Sequence, residues 1–197
     1  MNANWKKNLN VPNTLTMLRM LMIPVYIVLF LRGHKYWALF TFLLAGATDI
    51  ADGMIARKFH LITDFGKLMD PLADKLMGLT VLVSMTLGTE QIPAVVPWAV
   101  VIVIFLKELL MVLGGIVMLG KHIVVYSKPI GKAAQALLTL GLAAAFFHEQ
   151  LAGLWAWQVS PDVLTLYLAT ALTLGALCFY AASCVKQLRA QNNAKVG

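Results

Sequence analysis

Residues 49–74 read DIADGMIARKFHLITDFGKLMDPLAD, and they place charged side chains inside an otherwise apolar chain. Four of the carboxylates in this stretch, Asp49, Asp52, Asp70 and Asp74, lie within apolar runs long enough to enter a membrane. A carboxylate at the centre of a bilayer costs about 3 kcal/mol even on lenient insertion scales, so these groups need cations, water or each other as partners. The stretch therefore predicts a metal site.

The composition of the chain defines the environment of this site. The protein has 197 residues, of which 60% are hydrophobic and 13% are charged, and its mean hydropathy is +0.78. Soluble domains carry about 25% charged residues. The composition therefore predicts an all-α integral membrane protein with a single domain over residues 1–197.

A spanning helix needs about 20 predominantly apolar residues, so the apolar runs of the chain predict six transmembrane helices. Glycine, proline and polar stretches separate these runs. The predicted spans cover residues 12–31, 36–57, 66–87, 92–119, 130–147 and 163–185. Ahead of them, residues 1–10 are read either as a short interfacial helix or as a frayed terminus.

The distribution of basic residues predicts the orientation. Placing both chain ends on one side leaves two of the 16 Lys and Arg residues, Arg32 and Lys35, on the other side. The positive-inside rule then puts the termini, the loops at residues 57–66 and 120–132, and the aspartates on the cytoplasmic side of the cell (inner) membrane. The net charge of +7 reflects this topology and attraction to anionic lipid or phosphate, and it gives no reason to invoke nucleic acid.

Helical periodicity gathers the acidic residues of the opening stretch on two faces. The predicted second helix carries Asp49, Asp52, Gly53 and Ala56 on one face, and the predicted third helix carries Gly66, Asp70 and Asp74 on one face. A short turn joins these helices, so they are expected to be antiparallel neighbours whose acidic faces converge. Carboxylate oxygens favour Mg²⁺, Mn²⁺ or Ca²⁺ over zinc. Two such ions about 4 Å apart are the usual arrangement for displacement at phosphorus.

Three other residues of the stretch have two readings each. Gly53 and Gly66 either leave room for a ligand or allow close packing of helices. Arg57 either offers its fork of donors to a diphosphate or serves only as a charge that sets topology.

The stretch fits the pattern D-x2-D-G-x2-A-R-x8-G-x3-D-x3-D at every fixed position, and it thereby resembles the CDP-alcohol phosphotransferase family. The resemblance implies a six-helix membrane enzyme, expected to be a homodimer, that moves a phosphatidyl or related group from a CDP-linked donor to an acceptor hydroxyl and releases CMP. It further implies two Mg²⁺ or Mn²⁺ ions on Asp49, Asp52, Asp70 and Asp74, with Asp74 also acting as the general base. The donor contacts that it implies are Asn13, Gly53, Ala56, Arg57, Thr63 and Gly66.

The acceptor is judged from residues outside the pattern. Residues 12–19 and 70–75 resemble family members that use CDP-diacylglycerol to make phosphatidylglycerophosphate and, equally, members that make cardiolipin. A glycerol 3-phosphate acceptor requires cations around its phosphate. The candidates are Arg19, Lys107, Lys128 and Lys132. Such a cationic set favours glycerol 3-phosphate as the acceptor, with phosphatidylglycerophosphate as the product, over a lipid alcohol.

Alternatives remain at this stage. Lys107 stands where the resembled group usually has arginine, and with Glu108 it is also read as an intramembrane ion pair. An alcohol other than glycerol 3-phosphate would make the chain a cardiolipin synthase or another phosphatidyltransferase. A cation transporter is the remote alternative, and it is disfavoured because the four aspartates are confined to two helices near one membrane face.

Overall fold

The computed structural model describes residues 11–59, 63–120, 129–154 and 159–196, which form helices and their connections. These ranges contain seven helices, which we number α1 to α7. They are α1 (Val11–Leu31), α2 (Lys35–Lys58), α3 (Asp64–Leu87), α4 (Trp98–Gly120), α5 (Pro129–Ala145), α6 (His148–Leu154) and α7 (Pro161–Val196). The all-helical prediction is confirmed, while the interfacial helix predicted for residues 1–10 lies outside the described residues.

The fourth apolar run differs from its prediction at its start. We expected a helix from residue 92, whereas α4 begins at Trp98. Pro93 and Pro97 have no backbone N–H to donate to a preceding turn, and two prolines within five residues disfavour a helix more than the single Pro24 and Pro71 that lie inside α1 and α3. The chain instead forms a turn in which the Thr89 amide donates to the Ile92 carbonyl over 2.7 Å. Hydropathy alone therefore set the start of this helix too early.

The last third of the chain also departs from the predicted bounds. Helix α6 lies where we expected only a connection, and α7 continues to Val196, beyond the predicted end at residue 185. Residues 186–196 are polar, but Lys, Gln, Leu, Arg and Ala are good helix formers. The end of the apolar run therefore marks the end of the hydrophobic segment and not the end of the helix.

Three helices, within the described ranges, are both long and apolar enough to cross a membrane. They cover Pro12–Leu31, Lys35–Ala56 and Pro161–Gln187. Large apolar side chains on their outer faces are exposed, as shown by Leu21, Trp37 and Ile50 at 65% each. A soluble protein rarely exposes so many contiguous apolar side chains, whereas lipid solvates them. The chain is therefore a membrane protein.

The chain divides into two compact units, Met1–Val95 and Val96–Gly197. In the first unit, α1 packs against both α2 and α3, and α2 also contacts α3. Gly33 lies in the short turn between α1 and α2 with a φ of 72°, a conformation that side chains with a Cβ rarely adopt. This turn reverses the chain, so α1 and α2 run antiparallel. The core beneath them includes Tyr26, whose ring stacks on that of Phe30 at 5.8 Å.

In the second unit, α7 packs against α5, α4 and α6. A Cβ added at Gly141 of α5 would lie 3.0 Å from a methyl group of Leu166 on α7, so these two helices approach closely. At one end of this unit, His148 Nδ1 lies 2.8 Å from Asp162 Oδ2, whose carboxylate is fully buried. The Ser160 hydroxyl lies 3.3 Å from the same nitrogen. This polar cluster ties the start of α6 to the start of α7.

Candidate active site

Helix α1 carries a polar face within its apolar sequence. Asn13, Thr16 and Arg19 recur every third residue, and their exposed fractions are 3%, 1% and 1%. Buried polar groups must find hydrogen-bond or ionic partners, because leaving them unpaired in an apolar environment costs several kcal/mol. Each of the three finds a partner on α2, on α3 or at the residue that caps α3. The face therefore organises the polar interior of the first unit.

Arg19 pairs with the acidic face of α2. Its Nη1 lies 2.7 Å from Asp49 Oδ1, and its Nη2 donates to Asp52 Oδ2. The side chains of Arg19 and Asp52 are 1% and 3% exposed, whereas that of Asp49 is 41% exposed. The guanidinium therefore approaches the two carboxylates from the protein interior and leaves part of Asp49 open.

Thr16 connects α1 to the acidic face of α3. Its hydroxyl donates to Asp70 Oδ1 and is also within 3.2 Å of the Pro12 carbonyl of its own helix. The Asp49 and Asp70 carboxylates are close enough to that of Asp52 to repel it electrostatically. The predicted convergence of α2 and α3 is thus present for these three aspartates.

Asn13 reaches the start of α3. Its Nδ2 donates to the Thr63 hydroxyl over 2.9 Å, and that hydroxyl lies 3.1 Å from Asn13 Oδ1. Thr63 is also the N-cap of α3, because its oxygen accepts from the Gly66 amide over 3.0 Å. A capping hydroxyl satisfies one of the free N–H groups at the beginning of a helix. One threonine therefore begins α3 and fixes its position against α1.

Gly66 is required by this contact. A Cβ at residue 66 would lie 2.7 Å from Asn13 Oδ1 and 3.2 Å from Thr63 Oγ1. Of the two readings of Gly66, the structure shows close packing. The side chain packed against this glycine is that of Asn13, which is itself a predicted donor contact.

The aspartates suit a divalent cation by their chemistry. Asp49, Asp52, Asp70 and Asp74 offer only oxygen atoms, which Mg²⁺ and Mn²⁺ prefer. Asp74 lies one turn beyond Asp70 on α3 and is partly buried. Within the described part of the chain, no three His, Cys, Asp or Glu side chains already meet as a metal-ligating group. These oxygen ligands therefore fit the ions. In the structure, Asp49 and Asp52 pair with Arg19, and Asp70 pairs with Thr16.

The remaining predicted site residues are described by their position and exposure. Gly53 and Ala56 are partly buried on α2, and Arg57 lies in the last turn of that helix, with its side chain outside the described residues. Lys107 forms an ion pair with its neighbour Glu108 on α4, which matches its alternative reading. Lys132 is exposed on α5, and Lys128 falls outside the described residues.

Sequence reasoning missed two features of these units. Thr16 was not singled out, although its spacing of three from both Asn13 and Arg19 marks one helical face. The second is His148, which pairs with the buried Asp162. The signal for that pair was weak, because the two residues lie fourteen positions apart across a connection.

The fold and these contacts define a helical membrane protein in which one polar helix face holds three aspartates, one of them buried. A family model described as CDP-alcohol phosphatidyltransferase matches residues 9–175. This match covers most of the chain, including the aspartates and their partners on α1. The chain belongs to the CDP-alcohol phosphatidyltransferase family.

Individual relatives point to two products within that family. A CDP-diacylglycerol–glycerol-3-phosphate 3-phosphatidyltransferase of Rickettsia typhi is 51% identical over 34% of this chain and 40% of its own length. The Bacillus subtilis protein of the same name is 30% identical over 71% of this chain and 78% of its own length. A CMP-forming cardiolipin synthase of Streptomyces coelicolor is 31% identical over 81% of this chain and 78% of its own length.

These alignments differ in extent. The similarity to the Rickettsia proteins spans only about 40% of their length, so it speaks for a segment and not for a whole enzyme. The longer alignments cover both products. None of the three relatives named here is a transporter, which weighs against the remote alternative drawn from the aspartates alone.

Proposed function

We propose that this chain transfers a phosphatidyl group from CDP-diacylglycerol to sn-glycerol 3-phosphate, releasing CMP and forming phosphatidylglycerophosphate. The observation that carries the proposal is that one polar face of α1 contacts Asp49 and Asp52 on α2 through Arg19 and contacts Asp70 on α3 through Thr16. These residues come from both halves of the family signature. The names of the Rickettsia and Bacillus relatives support the choice of substrates.

Asp49, Asp52, Asp70 and Asp74 are proposed to hold two Mg²⁺ or Mn²⁺ ions. Bound there, the ions would neutralise the diphosphate of the donor and stabilise charge on the leaving group. Asp49, Asp52 and Asp70 outnumber the Arg19 guanidinium that pairs with two of them, and gathered carboxylates favour cations at this position.

The chemical step is a displacement at phosphorus. The acceptor hydroxyl oxygen forms a bond to the phosphatidyl phosphorus, and the bond between that phosphorus and the CMP oxygen breaks. The proton of the hydroxyl passes to the Asp74 carboxylate, which we assign as the general base. CMP leaves with the electron pair of the broken bond, so the charges balance.

Donor binding is proposed for residues near the start of α3 and the end of α2. Asn13 and Thr63 are hydrogen-bonded to each other, and both side chains lie beside Gly66. Gly53, Ala56 and Arg57 complete the proposed set on α2. An arginine suits the diphosphate because its planar fork donates two parallel hydrogen bonds.

Acceptor binding is proposed on charge grounds. Glycerol 3-phosphate carries two negative charges that need cationic partners. Lys107, Lys128 and Lys132 are the proposed partners of these charges. Arg19, the fourth candidate from the sequence, is buried and pairs with two aspartates instead.

The membrane arrangement is part of the proposal. We propose six spans, both termini and the active site on the cytoplasmic side of the inner membrane, a single catalytic domain and a homodimer. Three helices that meet the length and hydropathy needed to cross a bilayer and the distribution of Lys and Arg support the topology. The family model over residues 9–175 supports a single domain.

The decisive experiment is an acceptor panel. Purified protein in detergent receives labelled CDP-diacylglycerol, Mn²⁺ or Mg²⁺, and in turn glycerol 3-phosphate, phosphatidylglycerol, inositol phosphate and serine, and the lipid product is identified. We expect phosphatidylglycerophosphate and CMP in equal amounts, formed only with glycerol 3-phosphate and a divalent cation. Product from another alcohol alone would reject the proposed acceptor while keeping the donor.

Cardiolipin synthesis is the second candidate. The Streptomyces coelicolor relative favours it, since that alignment covers more of this chain than either of the other two described above. The same panel separates the candidates, because a cardiolipin synthase would consume phosphatidylglycerol and leave glycerol 3-phosphate unused.

A further inference from the structure

Arg19 is buried to a degree that demands permanent partners. Its side chain is 1% exposed within a helix apolar enough to cross a membrane. A buried guanidinium without counter-charges costs several kcal/mol, even after relaxation of its surroundings. Its Nε and Nη1 have no hydrogen-bond partner among the described residues, so Nη2 donates the hydrogen bond to Asp52 and Nη1 contributes an ion pair with Asp49.

The aspartates need Arg19 in turn. Asp52 is 3% exposed and is repelled by the carboxylates of Asp49 and Asp70. Such a cluster is unstable unless a cation lies close to it. Arg19 supplies that positive charge to two carboxylates at once, and it does so from within the chain.

Arg19 opposes the binding of a divalent cation to the same carboxylates in two ways. Nη2 donates to one oxygen of Asp52, whose lone pair is then unavailable to a metal. Nη1 lies 2.7 Å from one oxygen of Asp49, where it obstructs the approach of an ion. In addition, a positive charge a few ångströms from the guanidinium is repelled, by an energy that is substantial at the effective dielectric of a protein interior. Pairing of the aspartates with Arg19 therefore weakens their binding of metal, and bound metal weakens their pairing with Arg19.

We propose that Arg19 is a built-in counter-ion that competes with the divalent cation for Asp49 and Asp52. It keeps the acidic cluster assembled before the metal binds, and it lowers the affinity of that cluster for metal. Arg19 is a positioning residue in this scheme, because it acts through the carboxylates. The inference rests on the proposed function to the extent that the aspartates bind a divalent cation.

The test is a titration of full-length protein in detergent with Mn²⁺ and no substrates, followed by the electron paramagnetic resonance signal of the free ion. Arg19→Gln removes the charge and is expected to lower the Kd for Mn²⁺ by about tenfold or more. Arg19→Lys keeps a charge and should stay closer to the wild type. Arg32→Gln is the matched control, since it removes an exposed arginine beyond the other end of α1 and should leave the Kd unchanged.

A Kd for Arg19→Gln that equals or exceeds the wild-type value overturns the inference. If this variant fails to fold without metal, it is purified again with Mn²⁺ present throughout. Recovery of folded protein supports a counter-ion role, because one cation then replaces another, whereas failure with Mn²⁺ rejects it. Wild-type protein that binds no Mn²⁺ would overturn the metal site of the proposed function as well, so the two failures are distinguishable.

Discussion

The Asn13 side-chain amide donates a hydrogen bond to the Thr63 hydroxyl over 2.9 Å, which joins the first turn of α1 to the residue that caps α3. Fifty positions separate the two residues in the chain. Because Thr63 also accepts from the Gly66 amide, the contact holds α3 in the position that brings Asp70 to Thr16. Donor binding and the geometry of the acidic cluster therefore depend on the same junction.

Thr63→Val should disturb both properties. It removes the cap and the partner of Asn13 while keeping the shape of the side chain, so we expect a loss of about 1–3 kcal/mol in stability and a higher KM for CDP-diacylglycerol. Thermal unfolding and initial rates measure the two effects. Thr80→Val is the matched control, because the Thr80 hydroxyl donates to the Leu76 carbonyl of its own helix. Similar effects of both variants would show that the junction has no special role.

Gly66→Ala should break the same junction by steric overlap. The new Cβ would lie 2.7 Å from Asn13 Oδ1, so we expect about 1–3 kcal/mol of destabilisation and weaker donor binding. Gly78→Ala lies on the same helix with nothing within 4 Å of its Cβ, and it should be neutral or stabilising by up to about 1 kcal/mol. Equal unfolding temperatures for the two variants would contradict the packing role of Gly66.

Thr16→Val should weaken the metal site without removing a proposed ligand. The Thr16 hydroxyl orients Asp70, and loss of such a supporting hydrogen bond typically costs about 10-fold or more in metal affinity or activity. We expect a higher Kd for Mn²⁺, opposite in sign to the effect of Arg19→Gln. Thr41→Val, at a buried hydroxyl that bonds the Trp37 carbonyl of its own helix, should bind Mn²⁺ as the wild type does. An unchanged Kd in Thr16→Val would mean that Asp70 needs no such support.

Asp74→Asn tests the general base. The amide cannot accept the proton of the acceptor, so we expect turnover to fall by about 10²-fold or more, while metal-dependent binding of CDP-diacylglycerol stays within a few-fold of the wild type. Single-turnover assays and donor binding measured side by side separate the two steps. Full activity in this variant would remove Asp74 from the proposed mechanism.

Lys132→Ala tests the acceptor site. Loss of a charge-assisted contact to phosphate should raise the KM for glycerol 3-phosphate about tenfold or more and leave the KM for the donor unchanged. Lys186→Ala, at another exposed lysine of the second unit, is the control for the loss of one positive charge. A parallel rise in both Michaelis constants would argue against a role in acceptor recognition.

The helices were predictable because long apolar runs have few alternatives in a membrane. Helices α1, α2 and α3 begin and end within about two residues of their predicted bounds. The start of α4 was missed because hydropathy ignores the two closely spaced prolines that disfavour a helix there, and the end of α7 was missed because its polar residues still favour one. The facing of Asp49, Asp52 and Asp70 followed from helical spacing and a short turn.

The partners on α1 could not be derived in the same way. A threonine in an apolar helix usually bonds its own backbone, and Thr16 does so as well, so its sequence context conceals the contact with Asp70. An arginine near the start of a membrane helix equally suits a topological charge, a phosphate ligand or a counter-ion. The partners of Arg19 are Asp49 and Asp52, which lie 30 and 33 residues further along the chain.

The sequence by itself determined that this chain is helical, that it belongs in a membrane and that its aspartates form two facing stripes, because spacing and hydropathy are local properties of a chain. Only the tertiary structure decided which group neutralises those aspartates. Three helices must pack before the Arg19 guanidinium can approach Asp49 and Asp52 from the interior, and before Asn13 can occupy the space left by Gly66. Charge pairing of this kind depends on distance in space, which separation along the sequence does not define.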